Sequence, residues 1–314
     1  MKRFIEGTFF EFRHHNTAEG KYWNPALEKF KGEDWRRKIR EIAELKMEYI
    51  VVMATALYDR CYFNSSVFPF AEMPCEDPIE EILSEADQWG IKVFLGNGFY
   101  GDWTKPVQNM TDKEIIARSF KAMEELTALY AHHKSFYGWY YPDESCIILN
   151  FSKGFTGYVN QCSSFCHEIT PEKKTLIAPY GTNLAFTNSR YVRTLAELDV
   201  DFIAYQDEVG VKKTPVSKTE RIFEKLKIAH DKAGRSKIWA DIELFDFEGI
   251  VYKSALIPAK IERIAKQIEN VAPYCDKIIS YQYLGIMNPA DSLSFAGHPD
   301  SAKLFEDYKN YITK

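Results

Sequence analysis

Lys237-Ile238-Trp239-Ala240-Asp241-Ile242-Glu243 is the stretch on which the fold turns. In an extended strand successive side chains point to opposite faces, so Ile238, Ala240 and Ile242 share one face while Trp239, Asp241 and Glu243 share the other. The apolar set suits a covering layer of helices, which turns the two carboxylates inward. A strand covered on both sides should be apolar throughout, so polar residues at its carboxyl end call for a chemical explanation.

Seven other short runs rich in β-branched and aromatic residues resemble it: Phe4–Phe12, Tyr49–Thr55, Lys92–Gly96, Phe136–Tyr141, Thr175–Pro179, Phe202–Gln206 and Lys277–Tyr283. Helical periodicity fills the intervals, over Glu33–Lys46, Pro78–Trp89, Asp112–Ala131, Gly154–Glu168, Arg190–Leu198, Lys218–Ala233, Pro258–Ala272 and Ser301–Ile312. Thr111-Asp112-Lys113-Glu114 reads as a helix start, and Trp89-Gly90 and Ala233-Gly234 read as stops. Eight β-α units in one chain predict an α/β fold, a (β/α)8 TIM barrel, as a single domain over residues 1–314. The open doubly wound sheet fits less well: Arg13-His14-His15-Asn16 follows the first strand where that fold places a glycine-rich phosphate turn.

Loop lengths say which end of the barrel works. Helix-to-strand connections are minimal, as at Met47-Glu48 and Gly90-Ile91. Strand-to-helix connections are long, as at Arg13–Gly32, Leu57–Asp77, Asp207–Ser217 and Leu244–Ile257. In a barrel the second set surrounds the carboxyl ends of the strands, where active sites are built.

Composition excludes several classes. With 46% hydrophobic and 27% charged residues the chain carries a full core. Its 40 basic and 45 acidic residues are intermixed at a net charge of −5, which leaves no basic face for nucleic acid. No apolar stretch is long enough for a membrane span, and Glu6 interrupts the basic opening before a secretory apolar region can form, so a cytoplasmic chain is expected. The six cysteines form no Cys-x-x-Cys pair and are expected as free thiols. The aromatic share, 15%, fits a large core with Tyr at its packing edges for most of these residues, and a groove lined by rings is the other reading.

Carboxylates are the decisive signal. The fourth run ends Gly138-Trp139-Tyr140-Tyr141-Pro142-Asp143-Glu144, and the seventh ends at Glu243. Strands four and seven stand roughly across the barrel mouth, so Glu144 and Glu243 can face each other over a substrate. Cleavage of a glycosidic bond needs such a pair: one carboxylic acid protonates the leaving oxygen while a second carboxylate attacks or steadies the oxocarbenium-like centre. Apolar rings around the acid, for which Trp139, Tyr140 and Tyr141 are at hand, keep it protonated near neutral pH.

This arrangement resembles the large clan of retaining glycosidases with (β/α)8 barrels, whose strand four typically ends Asn-Glu where this chain has Asp143-Glu144. The chain is more closely similar to a bacterial family of glycosidase-like barrels of unknown function. That similarity rests on Glu6-Gly7-Thr8-Phe9, Gly138 to Glu144, Ala178-Pro179-Tyr180, Ala204-Tyr205-Gln206-Asp207 and Glu243-Leu244-Phe245. The chain departs from the clan at Thr55-Ala56, where an Arg often stands, and at Tyr281-Gln282, where a Trp is usual. The resemblance implies Glu144 as acid/base and Glu243 as nucleophile.

Groups suited to sugar hydroxyls sit at the other strand ends: Glu11 and Arg13, Asn97, Asp143, Tyr180, Tyr205 with Gln206 and Asp207, Asp241, and Tyr281 with Gln282. Tyr100, Trp103 and Tyr141 are candidate stacking rings. The expected partner is therefore a carbohydrate, with no cofactor and no metal. A metal-dependent sugar isomerase fits less well, because His14 and His15, as neighbours on an extended chain, should point apart. His132-His133 fall at the opposite end of the barrel. A non-catalytic carbohydrate-binding barrel would not need both glutamates. A serine hydrolase would need a Gly-x-Ser-x-Gly turn, which is absent.

Overall fold

The computed structural model describes residues 3–144 and 146–313; Met1, Lys2, Ser145 and Lys314 lie outside the described residues. Eight strands form the barrel: β1 (Gly7–Phe10), β2 (Tyr49–Val52), β3 (Lys92–Gly96), β4 (Phe136–Tyr140), β5 (Lys174–Ile177), β6 (Phe202–Gln206), β7 (Lys237–Glu243) and β8 (Lys277–Tyr281). Each pairs in parallel with its sequence neighbour, and β1 closes the circle on β8 through Gly7 opposite Ile279 and Thr8 opposite Ser280. The (β/α)8 barrel expected from the alternation is the fold.

The helices α1 (Gly32–Glu44), α2 (Pro78–Trp89), α3 (Lys113–Tyr130), α4 (Lys153–Ile169), α5 (Ser189–Glu197), α6 (Val216–Ala233), α7 (Ile261–Val271) and α8 (Ser301–Thr313) surround it. Local chemistry sets their ends. The Asp77 carboxylate accepts from Glu80 N–H at 3.0 Å ahead of Pro78, and Asp112 accepts from Glu114 N–H at 2.9 Å, each satisfying an orphan first-turn donor. Gly90 and Gly234 end their helices at φ +67° and +64°, where a side chain would strain the backbone.

Strand alternation sorts the core into two clusters. Phe9, Val51, Phe94, Tyr140, Leu176, Ala204, Trp239 and Ile279 fill the barrel, while Phe10, Val52, Leu95, Ile177, Ile203, Ile238 and Ile242 pack outward among the helices. Trp239, Asp241 and Glu243 do turn inward, and each large apolar group so buried contributes about 1.5–3 kcal/mol. Strand β4 runs so close to β5 that a Cβ on Gly138 would lie 2.2 Å from the Lys174 carbonyl oxygen. The expected first strand is trimmed to four residues, and at its start Ile5 N–H is bonded to the Tyr308 hydroxyl, at 2.7 Å, rather than to a neighbouring strand.

Among the described residues, the long loops carry a hairpin in the second connection (Ala56–Leu57 with Arg60–Cys61), another in the seventh (Phe245–Phe247 with Leu256–Pro258), and short helical turns in the first, third and fifth. All six cysteines are free. No helix among the described residues is long and apolar enough to cross a membrane.

Candidate active site

A cleft of about 420 Å³ opens at the carboxyl ends of the strands. Six of the residues expected at a site line it: Glu144, Tyr180, Gln206, Asp241, Glu243 and Tyr281. Glu144 follows β4 and is partly buried. Its Oε1 accepts from the Tyr140 hydroxyl at 2.7 Å and its Oε2 from the Gln206 side-chain amide at 2.7 Å. Burial pushes its carboxyl up to about 7, against the pull of those two hydrogen bonds, which favour the anion.

Glu243 ends β7 and is buried, with Oε2 accepting from Val211 N–H at 2.8 Å. Burial and the nearby Asp207 raise its carboxyl. Asp241, deeper in the barrel, is raised well above the ordinary range by burial and by Glu243, Asp207 and Glu144, and its Oδ1 has no hydrogen-bond partner. Three acids in one low-dielectric cleft cannot all ionise near neutral pH, so they share protons as a set.

Beneath the cleft runs a charged lattice. His14 is buried between Glu11, at 3.0 Å from Nδ1, and Glu19, at 3.2 Å from Nε2. Burial alone would depress His14, but the two carboxylates raise it to about 9, so it is a cation at neutral pH. The Tyr281 hydroxyl lies 3.1 Å from His14 Nδ1, which anchors a cleft ring to this lattice. Glu11 also accepts from Trp23 Nε1 at 2.9 Å and Gln282 Nε2 at 2.7 Å.

Several expected site residues are corrected by this geometry. Tyr141 bonds Ser163, and Tyr205 bonds Tyr191 and His230, so both rings point toward the helix layer, while the Tyr100 hydroxyl bonds Thr55 and its ring packs on Phe68 of the second loop. Alternation explains this: Trp139 and Tyr141 flank the inward Tyr140 and must face outward, so of the three rings Tyr140 is the one that reaches Glu144. The Asn97 amide faces Met123 and Cys162. Arg13 pairs with Glu28 at 2.7 Å, away from the cleft. Asp143 is held by Asn109 at 2.7 Å, and Asp207 by Gln267 at 2.6 Å behind Glu243. Glu11 and Gln282 bond each other under the floor, and Trp103 packs edge-on against His15 rather than lining the cleft.

Sequence reasoning missed His15, Glu208, Lys213 and Tyr252, which also line the cleft. Lys213 is 3.5 Å from Glu208 and lies over the Tyr180 ring at 5.1 Å. Glu208 is fully buried at φ +55°, with no hydrogen bond to either carboxylate oxygen. These positions sit on loops held by tertiary contacts, so no periodicity marks them. The expected divergence of His14 and His15 also fails, because the chain after β1 is bent: their rings are 4.6 Å apart, and with Glu11 they bring possible metal-binding atoms within 4.8 Å of one another. Both His14 nitrogens are already engaged by carboxylates, and His15, pressed down to about 3 by burial and the His14 cation, is neutral. A second such group, Glu80 with His132 and His133, lies where the connection leads into β4, at the far end of the barrel.

The fold is shared with known carbohydrate-active proteins. A Bacteroides thetaiotaomicron VPI-5482 protein assigned provisionally as an alpha-L-fucosidase superposes with a TM-score of 0.78 at 17% identity, over 98% of this chain and 93% of that one. An endo-beta-1,4-mannanase from Thermotoga petrophila gives a TM-score of 0.63 at 12% identity, over 99% of this chain and 77% of that one. An endo-1,4-beta-mannanase from Rhizomucor miehei gives 0.60 at 12% identity, over 98% and 94%. No curated protein sequence matches the chain. The sequence itself matches a family profile over residues 5–293, and the chain belongs to that family, the domain of unknown function DUF4434.

Proposed function

We propose that the protein hydrolyses a glycosidic bond, with Glu144 as general acid/base and Glu243 as nucleophile. The observation that carries the reading is that two glutamates, one following β4 and one ending β7, line a single cleft, with Gln206 on β6 holding the first of them. Glycoside hydrolases among the structural neighbours support a carbohydrate as substrate.

In the proposed reaction the Glu144 proton passes to the leaving oxygen as the Glu243 carboxylate bonds the anomeric carbon; Glu144 then takes a proton from the water that releases the sugar. The positive charge that develops on the sugar ring favours the Glu243 anion in the transition state, offsetting its burial. Tyr180, Tyr281 and Gln206 would hold the ring and its hydroxyls, and Asp241 supplies a deeper acceptor.

One observation favours the exchanged roles: Glu144 accepts two anion-stabilising hydrogen bonds and Glu243 one. The test separates them. On an activated aryl glycoside, Glu144→Ala and Glu243→Ala are each expected to lose turnover. Azide should restore both, giving a glycosyl azide of retained configuration with Glu144→Ala and of inverted configuration with Glu243→Ala. The opposite pair of products assigns the exchanged roles. Full activity in Glu243→Ala sinks both assignments, and sugar binding without turnover in the unaltered protein supports a binding barrel.

A further inference from the structure

Four large apolar side chains are exposed on two loops that pair with each other beside the cleft residue Tyr180: Ile148 (69% exposed), Leu149 (63%), Leu184 (51%) and Phe186 (61%). Single exposed apolar residues are ordinary, but a contiguous group marks a surface that something covers. Two loops are zipped together here. Ile147 N–H donates to the Tyr180 carbonyl at 2.8 Å, and Phe186 N–H donates to the Leu149 carbonyl at 3.0 Å. Leu149 is held at φ +64°, a region that a branched side chain seldom occupies and that persists only where the surroundings impose it.

The rim is continuous with the cleft. Tyr180, which the first loop pairs with, is a cleft ring, and Asn183 in the turn carrying Leu184 donates to the Lys213 carbonyl at 3.0 Å. Position along the chain supplies the rest. Ile148 and Leu149 belong to the loop that begins after Glu144. A general acid must lie beside the oxygen it protonates, so the departing group sits on the side of the cleft that carries the acid.

We infer that this rim is the leaving-group subsite and that it takes an apolar aglycone, such as an alkyl chain, rather than a further sugar. This rests on the proposed glycosidase reading. A second sugar would need hydrogen-bonding groups around its hydroxyls, whereas the rim offers four hydrocarbon side chains.

The experiment compares octyl and methyl glycosides of the same sugar, using the unaltered protein and the double variant Leu149→Asn, Phe186→Ser. Asn tolerates the left-handed backbone at position 149, and the bond between the two positions is made by the main chain, so the fold is retained. Covering two methylenes is worth about ten-fold, so the unaltered protein should prefer the octyl glycoside by at least that factor in kcat/KM, and the variant should lose the preference. Hydrolysis of the methyl glycoside should stay within about two-fold. Equal octyl-to-methyl ratios in the two proteins overturn the inference, as does a dimer in sedimentation that the variant dissolves, which would make a second copy the occupant. Should no glycoside be turned over, fluorescence titration with octyl glycoside still decides: binding weakened in the variant keeps the apolar subsite while the hydrolase reading fails, and equal binding removes both.

Discussion

Replacing Glu144 by Gln leaves the shape of the cleft almost unchanged and removes one titration. In the folded protein the Glu144 carboxyl is raised from 4.5 to about 7, chiefly by burial. A group whose folded value is raised contributes stability that is fully present below its unfolded value and is lost as pH rises through the folded one. At ~1.4 kcal/mol per pH unit, the interval costs the unaltered protein about 3 kcal/mol between pH 4 and pH 8. The Gln variant carries no such cost. Its amide oxygen can accept from Gln206 Nε2 while its NH2 donates to the Tyr140 hydroxyl oxygen, and any offset from this exchange does not vary with pH. The Tm difference between variant and unaltered protein should therefore grow by ~4–6 °C in favour of the variant between pH 4 and pH 8 for a chain of this length. Differential scanning calorimetry in buffers of matched ionic strength reads it. Parallel Tm curves across that range would falsify the claim that the fold strains this carboxylate.

Other perturbations test neighbouring parts of the site. Tyr140→Phe keeps the barrel-filling ring and removes the hydroxyl that stabilises the Glu144 anion, so the alkaline limb of kcat/KM should move up by about one to two pH units; an unmoved limb separates Tyr140 from the acid. His14→Gln leaves Glu11 and Glu19 buried without their cation and should cost about 3–5 kcal/mol at pH 6 in urea unfolding. Because His14 is raised from 6.5 to about 9, that gap should narrow as pH rises from 6.5 toward 9.5; a constant gap would mean His14 is neutral in the fold. Gly138→Ala drives a methyl onto the Lys174 carbonyl and should lower stability by about 1–3 kcal/mol or more, measured by thermal melting, with normal stability refuting the tight β4–β5 contact.

The barrel was legible because its signals are local. Period-two runs, capping residues such as Asp112 and stops such as Gly90 operate over a few residues, and most element boundaries fall within two or three positions of the reading. Glu243 is legible as a cleft residue because it closes β7, whose inward face alternation assigns, whereas Glu144 lies four residues past β4 and is held at the cleft by Tyr140 and Gln206. The same rule, applied strictly to Trp139-Tyr140-Tyr141, would have sent two of those three rings outward, as the structure does. Beyond a strand's last residue, alternation loses its hold. Arg13 and Asn97 lie just past that point, and their side chains follow tertiary partners, Glu28 in one case and the buried Met123 and Cys162 in the other. Lys213 and Glu208 owe their place to a loop turn closed by Lys213 N–H on the Glu208 carbonyl at 3.1 Å, for which the sequence carries no periodic mark.

The main chain at the end of β7 is gripped from outside the barrel. The Glu243 carbonyl accepts from Arg263 Nη2 and Gln267 Nε2, both at 3.1 Å, and Arg263 also bonds the Phe245 carbonyl at 2.7 Å. Both clamps belong to α7, so the main chain that carries Glu243 is held by a helix, while its carboxylate is held by Val211 N–H. The tip of the hairpin that follows β7 carries the exposed Ile250 and the cleft residue Tyr252, and it is tied to the first loop, where Asn16 Nδ2 donates to the Tyr252 carbonyl at 3.1 Å. Length and composition of residues 248–254 can be varied to alter what enters the cleft while α7 keeps its hold on the Glu243 main chain.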